Sequence, residues 1–231
     1  MSYARIPLIA LAALAGWIDA LSFLYLGKVF TSFQSGNLIF LGLSAAQGDG
    51  GLLARAAVSL ATFVAGSAIG SYLIGRAVTH QIRSLRFAFA LELSLLSGFA
   101  VCWQAVGDAS DYPVARLVLI ALAASAMGIQ GSAVLALRIP GVVTNAMTAT
   151  LNLLGGLLGL RARGGGALQD ASPLPVGVLG VLCASYAISA VIVGVAGNPA
   201  ITSAVPAVVL VLALGVSAAR RQPARPAAVP G

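Results

Sequence analysis

The chain has 231 residues, of which 59% are hydrophobic and only 8% charged, and its mean hydropathy is +1.00. Thirteen basic and six acidic side chains cannot make a water-facing surface, since soluble domains carry about 25% charged residues. Two cysteines and almost no polar low-complexity sequence exclude a disulfide scaffold and a disordered chain, which leaves an all-α polytopic membrane protein.

The first apolar run, 4–27, is long enough to span, because a transmembrane helix needs about 20 apolar residues. Arg5 ahead of small residues near Ala15 has signal-peptide features, but the run continues past Ala15 and has a counterpart later in the chain. A shorter run, 34–47, is studded with Ser, Gln, Asn and Gly. Spans 52–78, 86–107 and 114–137 follow, then a second short polar-studded run, 143–160, and spans 174–196 and 200–219. The expected fold is therefore about six transmembrane helices plus two short re-entrant or broken helices. Pro113, Pro140, Pro173, Pro175 and Pro199 fall at or outside the run ends, whereas Pro206 lies inside the last run and predicts a kink there. Cys102 and Cys183 lie within apolar runs and read as buried thiols.

The net charge of +7 would suggest nucleic acid in a soluble protein. Here the basic residues sit between apolar runs, so the expected partner is the lipid bilayer and no nucleic acid. With six spans and a cytoplasmic amino terminus, ten basic residues (Arg5, Arg76, Arg83, Arg86, Arg138, Arg161, Arg163, Arg220, Arg221 and Arg225) lie inside. Three, Lys28, Arg55 and Arg116, then lie outside. Were the short runs to cross, the split would be 8 to 5. The positive-inside rule prefers six spans, with both termini cytoplasmic in the bacterial inner membrane.

The chain also repeats itself. Thr31-Ser-Phe-Gln-Ser-Gly-Asn-Leu-Ile-Phe-Leu-Gly42 lies over Thr144-Asn-Ala-Met-Thr-Ala-Thr-Leu-Asn-Leu-Leu-Gly155 without a gap. Upstream, Asp19 falls opposite Gln130, and downstream Gly66, Gly70 and Gly75 fall over Ser185, Ser189 and Gly194. Residues 1–110 and 111–219 thus read as two repeats, with 220–231 a disordered basic tail. Three spans per half is an odd number, so the second half enters upside down, giving an inverted 3+3 repeat.

The stretch Ala15-Gly-Trp-Ile-Asp-Ala-Leu-Ser-Phe-Leu24, then Phe30 and Gln34-Ser-Gly-Asn-Leu38, resembles the amino-terminal signature of the YoaK-like family of small bacterial membrane proteins. That family is also called domain of unknown function 1275. Met127-Gly-Ile-Gln130 and Thr144 to Thr150 resemble segments of its second half. Ser35 stands where the family usually has Thr, and Ala149 where it usually has Gly. The resemblance implies a six-helix inner-membrane protein and no settled activity.

Asp19, midway along the first span, is read either as a proton or cation coupling site or as a hydrogen bond holding its own repeat's neck. Gln34, Ser35 and Asn37 form one neck, and Thr144, Asn145, Thr148 and Thr150 the other, with Asn152 beyond it. Such necks either cap the short helices or aim their positive ends at a small solute at the midplane. Gln130 reads as Asp19's neutral counterpart, or as an interhelical hydrogen bond. Glu92 is a secondary candidate whose plainer reading is snorkelling, or pairing with Arg83 or Arg86. Gly66, Gly70 and Gly75 read as close-packing positions, and Arg161 to Gly166 as a flexible basic loop. His80 has no metal-ligand companions, and no nucleotide loop or nucleophile elbow appears, so no metal, cofactor or enzyme activity is expected. The functional expectation is a small secondary transporter of an unidentified small solute or ion. The alternative is a non-transporting scaffold, lipid-binding or accessory subunit, and a homodimer is open in either case.

Overall fold

A computed structural model describes residues 5–75, 81–107, 112–137, 147–162 and 174–219. Among them lie nine helices: α1 Arg5–Tyr25, α2 Gln34–Gln47, α3 Gly50–Gly75, α4 Gln81–Val106, α5 Pro113–Ala136, α6 Met147–Ala162, α7 Val176–Ala196, α8 Pro199–Thr202 and α9 Val205–Ala219. Five of these, α1, α3, α4, α5 and α7, are long and apolar enough to cross a membrane. The fold is that of an all-helical, multi-pass membrane protein.

The helix ends follow local chemistry. α1 stops at Gly27 (φ 89°) and Lys28 (φ 63°), two consecutive left-handed residues that reverse the chain. A Cβ on Gly27 would also collide with the Arg55 side chain. α2 ends at a left-handed Gly48, and the Asp49 carboxylate caps the next helix by accepting from the Leu52 amide at 2.9 Å. Pro113 opens α5, and Gly197 (φ 62°) closes α7.

The last expected span is not one helix. The run 200–219 divides into the four-residue α8 and the 15-residue α9, with the break at Ser203 and Ala204. Pro206 lies in the first turn of α9, so it opens a helix rather than kinking one. Its nitrogen has no hydrogen to offer the Thr202 carbonyl four residues back. That carbonyl accepts instead from the Trp17 indole at 2.8 Å, which ties the break to α1. α6 continues through Ala162, which places Arg161 in its last helical turn rather than in a flexible loop. Cys102 and Cys183 are free and half-buried, not buried. His80, residues 143–146, 163–166 and 220–231 lie outside the described residues.

Helix directions follow from which residues meet. Ser125 of α5 donates to the Thr62 carbonyl of α3, and Ser132 bonds Ser67, so the numbers rise together and α3 and α5 run parallel. On the other side Ser185 meets the Ile9 carbonyl and Ser189 lies on Gly16, so α7 runs parallel to α1. α1 is antiparallel to α3 and α5. Arg55, near the start of α3, donates to the carbonyl of Gly27 at 3.0 Å, while Gln130, late in α5, donates to that of Leu11 at 3.2 Å.

Two bundles result. α1 packs on α7 and α9, and α5 on α3 and α4, while α2 lies on α3 and α6 on α7. Small residues permit both main crossings. A Cβ on Gly16 would overlap the Tyr186 carbonyl, and one on Gly128 or Gly66 would overlap the Phe63 or Ser125 carbonyl. Gly70 is less tight, a Cβ there standing 3.1 Å from Ile129 Cα, and Gly75 has open space beside it. α5 is the buried centre: every residue from Ala126 to Val134 is buried.

Candidate functional site

The segment between α1 and α2 is not helical, yet it lies at depth. Asp19 sits about 9 Å before the end of α1, at 1.5 Å rise per residue, and the chain turns back until Thr31–Phe33 lie beside it. The amides of Thr31 and Ser32 donate to Asp19 Oδ1 at 2.8 and 2.7 Å, and that of Phe33 to Oδ2 at 3.1 Å. The Ser32 hydroxyl adds a 2.5 Å bond to Oδ2 and the Tyr186 hydroxyl of α7 one at 2.6 Å. Phe33, at the N-cap of α2, makes no side-chain cap of its own. The carboxylate from α1 therefore ties down the N-cap amide of α2 and the two amides before it. α2 then climbs back to the face where α1 ends and α3 starts.

A second network holds the other side of this neck. Asn37 accepts from the Phe30 amide at 3.0 Å and returns a bond to the Phe30 carbonyl at 2.6 Å. Its amide also donates to Gln34 Oε1 at 2.9 Å and to Ser59 Oγ at 3.0 Å. Ser59, on α3, donates to the Phe30 carbonyl at 2.7 Å, and Gln34 to the Thr31 carbonyl at 2.8 Å. Asn37 and Ser59 are buried, and Ser35 is exposed. Unwound backbone within a membrane must find such partners, because hydrocarbon offers none.

The structure thus joins Asp19, Gln34 and Asn37 in one assembly that spans both bundles, through Tyr186 on one side and Ser59 on the other. Gln130 is buried on α5 and reaches α1 instead. In the second half Thr150 is buried, at the position aligned with Asn37, whereas Thr148 and Asn152 are exposed on α6. Thr144 and Asn145 lie outside the described residues. Glu92 does not snorkel, and among the described residues it does not pair. It is wholly buried, and neither carboxyl oxygen has a hydrogen-bond partner among the described residues.

Ser32, Ser59 and Tyr186 were not anticipated from the sequence. Tyr186 is the only aromatic residue of α7, and Ser59 a lone hydroxyl early in α3, but neither position shows which neck it reaches. A groove of about 300 Å³ between α1, α7 and α9, lined by Leu14, Trp17, Ile188, Ile192, Pro206 and Val209 among others, contains none of the expected site residues.

A family model described as "Protein of unknown function (DUF1275)" matches residues 7–219. The chain is also similar to the UPF0700 transmembrane protein YoaK of Bacillus subtilis (strain 168), with 31% identity over 153 residues. That alignment covers 65% of this chain and 65% of the relative. No solved structure matches the chain. A match running almost from end to end, on an all-helical chain with five membrane-length helices, makes this protein a member of the DUF1275 family of transmembrane proteins of unknown function.

Proposed function

We propose that the protein is a small secondary transporter of the bacterial inner membrane, with cytoplasmic termini, in which two inverted halves carry an unidentified small solute. The observation that carries this reading is the Thr31–Phe33 neck: non-helical backbone beside the middle of α1, gripped by Asp19 and Tyr186 of one bundle and adjoining Ser59 of the other. Discontinuous helices at the junction of inverted repeats are a recurring transporter arrangement. The helix directions support the inversion. α1 and its sequence counterpart α5 run oppositely, as do α3 and its counterpart α7, and each half lends its third span to the other half's first. With α5 and α7 opposed, the segment holding α6 leaves and returns on one face, as α2 does.

In this reading the α1–α7–α9 bundle rocks against the α3–α4–α5 bundle. Asp19 is the anchor of the neck rather than the bound solute's counter-ion, since both its carboxyl oxygens are taken up by the neck and by Tyr186. Asn37, Gln130 and Thr150 are further buried polar groups and Gln34 a half-buried one, while Ser35, Thr148 and Asn152 are exposed.

The test is uptake of radiolabelled amino acids, sugars, carboxylates and inorganic anions by proteoliposomes. A disulfide between the bundles (Leu11→Cys with Gln130→Cys) should stop flux, and one within a bundle (Ser67→Cys with Ser132→Cys) should not. Equal flux with both crosslinks closed would defeat the rocking reading. A second reading, a non-transporting scaffold, is favoured by the closed hydrogen bonding of Asp19 and Asn37. No flux across the panel, together with stable co-purifying subunits, would establish it.

A further inference from the structure

Ser84, Ala88, Glu92, Leu96, Phe99 and Trp103 are all buried and recur every three or four residues, so they form one face of α4 turned into the protein. α3, α5, α8 and α9 pack against this helix. The titratable groups these elements carry are few. α5 has Arg116 in its first turn, α3 has Arg55 and Tyr72 towards its two ends, and α8 and α9 have none. α4 itself carries Arg83, Arg86 and Cys102, of which Arg86 is exposed and Cys102 half-buried. No group among the described residues makes a hydrogen bond to either oxygen of Glu92.

A carboxyl group so placed contrasts with Asp19. Asp19 accepts from three amides and three hydroxyls. Glu92 has no such donors, and a charge left alone in hydrocarbon is the costly case. A metal cation would need several ligands, and no group of three or more His, Cys, Asp or Glu stands together among the described residues. A proton needs none.

We propose that Glu92 is a proton-binding site of the membrane domain, and that α4 exposes it to water when it shifts against α5. In that step the O–H bond of the acid breaks, its electron pair stays on the carboxylate and the proton passes to a water molecule. Reprotonation from water returns α4 to its packed position. Coupling this cycle to solute movement rests on the transporter reading. The proton exchange itself does not.

Infrared spectroscopy of the protein in liposomes tests the site directly, through the carbonyl stretch of a protonated carboxyl group. The expected band is lost in Glu92→Gln, displaced in Glu92→Asp and retained in Asp19→Asn. It should also shift when the liposomes are moved into D2O, and bleach reversibly as the pH is raised. A spectrum with no band dependent on residue 92 would overturn the proposal, as would a band indifferent to both D2O and pH. The conservative Asp variant covers the case in which the Gln variant does not fold. Solute uptake is scored on the same liposomes. Exchange without flux leaves the proton site standing and removes the transporter, while flux with a silent carboxyl does the reverse.

Discussion

The hydroxyl of Tyr186 on α7 donates a 2.6 Å hydrogen bond to Asp19 on α1, across 167 residues of sequence. It is a point at which the second half of the chain touches the neck of the first. The bond ends on a carboxylate oxygen that also receives Ser32 and Phe33, so one side chain organises a neck, a helix start and a contact between halves.

Replacing Tyr186 with Phe should lower stability by about 1.5–3 kcal/mol, the usual worth of a hydrogen bond to a charged group. Asp19→Ala should cost more, because it strands three amides and three hydroxyls together. Unfolding of the detergent-solubilised protein would measure both. A Tyr186→Phe variant as damaging as Asp19→Ala would contradict this ranking.

Trp17 and Pro206 should be coupled. Trp17→Phe removes the donor to the Thr202 carbonyl and should cost about 1–3 kcal/mol as that group loses its partner. In a Pro206→Ala background the alanine amide can reach the same carbonyl, so the loss should shrink. A double-mutant cycle reads the difference as a coupling energy. Strict additivity would mean that the proline is not the cause of the α8–α9 break.

Glycines in α1, α3 and α4 should respond unequally to alanine. Gly16→Ala and Gly66→Ala push a methyl group into backbone carbonyls of α7 and α5, and overpacking of this kind costs about 1–3 kcal/mol. Gly98→Ala, which meets open space within α4, should be neutral or stabilising. Thermal unfolding of the three variants distinguishes them, and equal losses would mean that the helix crossings are looser than the structure shows.

Sidedness of α3 checks the inverted arrangement. Single cysteines at Asp49 and Gly75, in a background lacking Cys102 and Cys183, stand at opposite ends of that helix and are exposed. An impermeant thiol reagent should reach position 49 from outside the cell and position 75 only after permeabilisation. The reverse pattern would place the termini outside and remove the positive-inside argument.

Much of the architecture was legible from local chemistry. The short run 34–47 matches α2 residue for residue, because a polar neck and a left-handed glycine bound it on either side. Asn37 and Thr150, which the sequence aligns, are both buried in the structure. The break at Ser203 and Ala204 was not legible. Pro206 marks the region, but which carbonyl goes unpaired and what replaces its partner depends on Trp17, far away in sequence.

The membrane class, the number of apolar runs and the identity of the suspicious polar residues were determined by the sequence alone, since length, hydropathy and breakers act on the chain locally. Which of those residues are satisfied was decided only by tertiary structure. Asp19 and Glu92 look alike as carboxylates within apolar runs. The fold brings amides and hydroxyls to Asp19 and, among the described residues, no hydrogen-bond partner to Glu92. A hydrogen bond needs its partner within about 3 Å, and for both residues that partner, or its lack, is set by segments distant in the chain.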